Sequence, residues 1–84
     1  MDDTNFGLWK KGMSIALSAK NKLDFVQGLV PKPMAGEIAI ANWTRCNHMA
    51  SSWLLNSLTI KIAESVIFTK DASLIWKELE DRYG

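Results

Sequence analysis

The sequence predicts an all-α fold, a compact bundle of four to five helices forming one domain over residues 1–84. Three observations predict it. Apolar residues recur at a 3.6-residue spacing in successive segments, and both prolines, Pro31 and Pro33, lie in one short stretch. No alternating strand pattern of useful length competes.

The first helix is expected over residues 5–20, where Phe6, Trp9, Met13, Ala16 and Leu17 form one face. Asp3, Thr4 or Asn5 can cap its start, because each offers a side-chain oxygen to the first free amides. Gly12 lies inside it at a cost of about 1 kcal/mol relative to alanine. Leu23, Phe25 and Val26 extend the apolar run until Gly28 stops it. Residues 28–36 hold both prolines and two glycines and read as an extended connection, since proline lacks a donor and restricts its predecessor.

The longest helix is expected from Glu37 to Ser57. Its face is Ala39, Trp43, Cys46, Ala50, Trp53, Leu54 and Ser57, with Met49 and Leu58 beside it. Thr59 then caps a short helix through Ile62, Ala63, Val66 and Ile67, although Val66-Ile67-Phe68 also reads as a strand. The final helix carries Ala72, Ile75, Trp76, Leu79 and Tyr83 on one face, with Thr69 or Asp71 as cap. Glu78 precedes Arg82 by four residues, the favourable orientation for an ion pair.

An 84-residue chain buries little more than ~60% of its unfolded surface, so its core needs large apolar groups. The composition supplies them, with 48% hydrophobic residues, four Trp, three Phe and four Met. The expected core is Phe6, Trp9, Met13, Leu17, Phe25, Trp43, Cys46, Trp53, Leu54, Ile62, Val66, Ile75, Trp76 and Leu79. A net charge of +1 argues against disorder and against a dedicated nucleic-acid binder. Lys10, Lys11, Lys20 and Lys22 are the one basic grouping. They read as solvated lysines flanking an apolar stripe, with a weak RNA track as the alternative.

No catalytic, cofactor-binding or metal-binding residues are expected, and the chain reads as non-enzymatic. The lone Cys46 and lone His48 point about 200° apart on a helix, Cys46 toward the core and His48 outward beside Asn47. No nucleophile elbow, metal-ligand spacing or phosphate loop is present. An acidic start and the absence of a long apolar run predict a chain without a membrane partner, in the reducing cytoplasm.

The ordered landmarks resemble a known family. Asn5-Phe6-Gly7-Leu8-Trp9, Met13, Ala16-Leu17, the run from Lys20 to Gly28 and Pro31-Lys32-Pro33 are similar to the N-terminal region of Copia-type LTR retrotransposon Gag proteins, those of plants above all. Trp43, Arg45-Cys46-Asn47, the run from Ser52 to Leu58, Ile62, Ser65-Val66, Ala72, Ile75-Trp76, Leu79 and Arg82-Tyr83 continue the likeness. The resemblance implies a structural capsid-type lobe, a piece of a longer polyprotein, whose partner is another copy of itself in virus-like particle assembly. Such a lobe would act with a C-terminal lobe and meet RNA only through regions outside these residues. Contacts between copies are expected from apolar residues off the core stripe: Leu8, Ile15, Leu29, Val30, Met34 and Leu55. The alternative is a host-retained domain that binds a peptide in a groove between helices.

Overall fold

The computed structural model describes residues 5–84, so the capping expected of Asp3 and Thr4 lies outside the described residues. Five helices follow one another: α1 (Phe6–Ala19), α2 (Leu23–Val26), α3 (Glu37–Asn56), α4 (Ile60–Val66) and α5 (Ala72–Tyr83). The described residues include no strand, and Val66-Ile67-Phe68 resolves as the end of α4 and the turn beyond it. α5 packs against α3 and α2, and α2 also meets α1 and α3.

α1 ends within a residue of the expected 5–20 helix, but the apolar residues beyond it form a second short helix that periodicity did not reveal. After α1, Asn21 adopts a left-handed backbone at φ 58°. The Lys22 amide bonds the Leu17 carbonyl at 2.8 Å and the Asn21 amide bonds that of Ser18 at 3.0 Å. This paired closure satisfies the last carbonyls of the helix, and asparagine is the non-glycine residue that best tolerates the conformation. α2 ends the same way at Gly28, φ 79°, with Leu29 bonding Asp24 at 2.9 Å and Gly28 bonding Phe25 at 3.2 Å. Two successive caps thus turn one apolar run into two helices.

Twelve apolar residues are buried together: Phe6, Leu17, Phe25, Val26, Ala50, Leu54, Ile62, Val66, Ala72, Ile75, Trp76 and Leu79. Trp9, Met13, Trp43, Cys46 and Trp53, expected inside, are half-buried and pack against this cluster. Two of the three half-buried indoles sit at the rim because their N–H needs a partner. Trp9 donates to the Ser57 hydroxyl at 3.0 Å and Trp43 to the Val30 carbonyl at 3.1 Å. Ala16, Ala39 and Ser57, placed on core stripes by spacing, are exposed, as is Met49, placed beside one. Val26, Ala50 and Ala72 are fully buried, the two alanines on stripes that spacing had turned inward; each carries only a methyl group to hold α3 and α5 apart.

Aromatic rings join the two ends of the chain. Phe6 lies 5.6 Å from Trp9 and 6.1 Å from Tyr83, and Trp9 lies 5.6 Å from Trp76, between ring centroids. Lys10 adds an ion pair to Glu80 at 3.1 Å, half-exposed and so worth little. Thr59 caps α4 as expected, its hydroxyl accepting from the Ile62 amide at 3.4 Å. Glu78 and Arg82 pair at 2.9 Å, and the same Arg82 donates to the Ser65 hydroxyl at 2.7 Å, tying α5 to α4.

The start of α5 is held from elsewhere in the chain. Asn47, expected on the outer side with His48, is 96% removed from solvent. Its Oδ1 accepts from the Ala72 amide at 2.8 Å and its Nδ2 donates to the Lys70 carbonyl at 3.0 Å. Asp71 occupies the cap position without making the cap bond. One amide of α3 thus performs the capping role that spacing assigned to Thr69 or Asp71.

Asn47→Ala is expected to lower unfolding stability by about 2–3 kcal/mol, because it strands a buried Ala72 amide as well as removing two bonds. His48→Ala, on the exposed side, is expected to change it by less than about 0.5 kcal/mol. Equilibrium urea unfolding followed by tryptophan fluorescence measures both. Asn21→Gly is expected to raise stability by roughly 0.5 kcal/mol, since glycine meets no steric cost at positive φ.

Candidate interaction surfaces

At 100° per residue, Leu8, Gly12, Ile15 and Ala19 fall within about 60° of one another on α1. That arc lies on the far side from buried Phe6 and Leu17. Leu8 is 79% and Ile15 60% exposed. A Cβ added at Gly12 would meet nothing within 4 Å, so the fold itself does not require glycine there. Among the described residues of α1, the one charge near this arc is Lys11, at its edge. α1 is therefore apolar on two sides, a pattern that suits a helix covered on both.

α4 repeats the arrangement on a shorter scale. Ile62 and Val66 face the core, while Ile60, Ala63 and Ile67 form a second stripe turned away from it. Ile60 is 80% and Ile67 53% exposed, and Phe68 in the following turn is 94% exposed. Exposed Glu64 stands at the edge of this stripe. Ala63, Ile67 and Phe68 also wall an open groove of about 920 Å³, whose other wall is α3 with Thr44, His48, Ser51 and Leu55. The Ser51 hydroxyl is buried there without a hydrogen-bond partner.

The two apolar faces point away from each other. On α5, Trp76, Glu80 and Tyr83 meet residues of α1, whereas Glu78 and Arg82 meet Thr69 and Ser65 at the α4 side. These two sets lie about 150° apart around α5. α3 shows the same division. Trp53 lies beneath Lys20, at 4.8 Å from ring centroid to Nζ, and Ser57 receives Trp9, while Ser51 and Leu55 look into the groove on the other side. α1 and α4 thus flank the α3–α5 pair.

Of the residues expected to meet another copy, Leu8, Ile15, Leu29, Val30 and Met34 are exposed, Met34 completely. Leu55 is half-buried, packed against the core and lining the groove, so its apolar surface already has an intramolecular face. The stretch 29–34 is not a loose tether. Trp43 holds it by the bond to the Val30 carbonyl, packs its ring 5.3 Å from Phe25, and carries the Lys32 ammonium 5.6 Å from its centroid. Spacing set Ile67 in line with Ile62, Ala63 and Val66, and did not assign Ile60, Ile67 or Phe68 to a contact surface. Their signal was present, since Ile60, Ala63 and Ile67 form a period of their own beside the Ile62–Val66 one.

The four N-terminal lysines do not form a continuous track. Lys10 is paired with Glu80 and Lys20 sits on Trp53, which leaves Lys11 and Lys22 on separate parts of the α1–α2 segment. Cys46 is half-buried and His48 exposed. Among the described residues, no group of three or more His, Cys, Asp or Glu could hold a metal ion, and no helix is long and apolar enough to cross a membrane.

The family described as Gag-polypeptide of LTR copia-type matches residues 1–34, which include α1, α2 and most of the loop before α3. No curated protein and no solved structure matches the chain significantly.

Replacing Leu8 or Ile60 with serine is expected to shift unfolding stability by less than about 0.5 kcal/mol, whereas Leu54→Ala is expected to cost about 2–5 kcal/mol. Thermal or urea unfolding distinguishes outward apolar groups from core ones in this way. Trp43→Phe keeps a ring against Phe25 but removes the bond to Val30. Faster exchange of the Leu29 amide, which bonds the Asp24 carbonyl beside the released Val30, is the expected result, measured by NMR in deuterated water.

Proposed function

We propose that this chain is a structural, non-enzymatic capsid-type module of a Copia-like Gag, acting by association with further copies in the assembly of a virus-like particle. The observation that carries the reading is the exposed apolar surface of α1, in a segment where the copia-type Gag family matches. A small monomeric domain gains nothing from Leu8 and Ile15 in water, and contiguous exposed apolar groups mark contact sites. In this reading the domain is one lobe of a longer polyprotein in a reducing, cytoplasmic setting, and RNA is held by other regions.

A second reading is supported by the groove between α3 and the α4–α5 turn. Its apolar lining by Leu55, Ile67 and Phe68 suits a short peptide from another protein. Binding RNA through Lys10, Lys11, Lys20 and Lys22 has less support, because two of the four are engaged within the fold.

Sedimentation velocity from micromolar to near-millimolar concentration tests the leading reading. The expected result is a mass that rises with concentration and is little changed by moderate salt, because apolar burial is not screened. A monomer throughout would contradict it and favour the peptide-binding reading.

A further inference from the structure

The geometry points to a head-to-tail contact in which the outward face of α1 in one copy docks on the α4 face of the next. This inference rests on the self-association reading and specifies its geometry. Two unlike apolar faces on opposite sides of one molecule are what it explains. A two-fold dimer through α1 alone would leave Ile60, Ile67 and Phe68 in water, and one through α4 alone would leave Leu8 and Ile15 there. A heterologous contact covers both sets with one interface and leaves each copy able to bind another at either end.

Shape supports the pairing. α1 is a convex ridge whose anchors, Leu8 and Ile15, stand seven residues and two helical turns apart. The α4 side is concave, with Ile67 and Phe68 forming a wall of the groove. An amphipathic helix seated in such a groove by i, i+7 anchors is a recurrent binding mode. Gly12, between those anchors, removes the side chain that would hold the partner's backbone away, which gives a physical reason for a glycine the fold does not use.

Charge supports it as well. Lys11 borders the α1 face and Glu64 borders the α4 face, each about 70° from the centre of its stripe. Docking that brings Lys11 beside Glu64 also keeps it from the Trp43–Asn47 end of the groove, where exposed Lys32 and Lys70 outnumber the half-buried Asp71. The charges thus select one of the two directions in which α1 can lie. Covering both faces removes on the order of 1,000 Å² in all, the lower edge of specific interfaces. A single contact is therefore weak, and association becomes visible at high protein concentration.

Two variants of the full chain test the pairing by sedimentation velocity at near-millimolar concentration. Ile15→Glu blocks the α1 face and Ile60→Glu blocks the α4 face; both residues are exposed. Circular dichroism and thermal unfolding check that each variant folds like the parent, and Leu8→Lys with Phe68→Lys replace any variant that does not. Each variant alone is expected to lose association and sediment as a monomer. Mixed in equal amounts they are expected to form a complex of two chains and nothing larger, because one intact α1 face meets one intact α4 face. If either variant still dimerises alone, or if the mixture stays monomeric while the parent associates, the head-to-tail contact is overturned and self-association stands. A parent that remains monomeric at every concentration overturns both.

Discussion

The buried amide of Asn47 fixes where α5 begins, and most of the remaining architecture depends on that point. By holding the Ala72 amide and the Lys70 carbonyl from α3, it sets the rotation of α5 about its axis. That rotation presents Trp76 and Tyr83 to the aromatic residues of α1 on one side and Glu78 and Arg82 to the α4 side on the other. A residue free to cap its own helix would leave the relation between α3 and α5 to apolar packing, which is less directional. Here a pair of hydrogen bonds in a dry setting specifies it, and breaking either leaves a buried group unpaired.

The energetic position of so small a domain explains why its tryptophans lie at the rim. With 84 residues, surface dominates volume, and a bundle of this size cannot enclose four indoles. Trp76 is enclosed, while Trp9 and Trp43 bury their ring faces and turn their N–H groups to Ser57 and Val30. Each also performs a second task. Trp9 links α1 to the end of α3, and Trp43 fixes the proline-bearing connection against α3. The same scarcity of interior space leaves Leu8, Ile15, Ile60, Ile67 and Phe68 outside, arranged along two helices rather than scattered.

Much of this was legible in the residues, and what was not has identifiable causes. Helical spacing located α1, α3, α4 and α5 and the irregular stretch at 28–36, because those features are local. The end of α1 was placed to within a residue, but the separate helix at Leu23–Val26 escaped, because an asparagine at positive φ does not disturb the apolar period around it. Asn47 escaped for a different reason: its partners lie 23 and 25 residues away, and nothing local separates a buried bridging amide from a solvated one. Spacing also overstated burial for Ala16, Ala39 and Ser57, since a stripe says which side faces inward and not how far the neighbours extend. Of the contact surfaces, Leu8 and Ile15 were readable as apolar groups off the core stripe. The α4 face was hidden by the Ile62–Val66 period that runs beside it.

In the proposed head-to-tail arrangement the outward faces of α1 and α4 are the two halves of one contact between copies. Amide chemical shifts followed by NMR over a concentration series test it most directly, because they report each surface separately in the unaltered protein. Head-to-tail contact requires that Gly12, Ile15, Ala63 and Phe68 shift together with one common half-saturation concentration, while Asn47 and Trp76 stay fixed. Shifts confined to one of the two helices, or centred on residues 29–34 and Ile38, would contradict it.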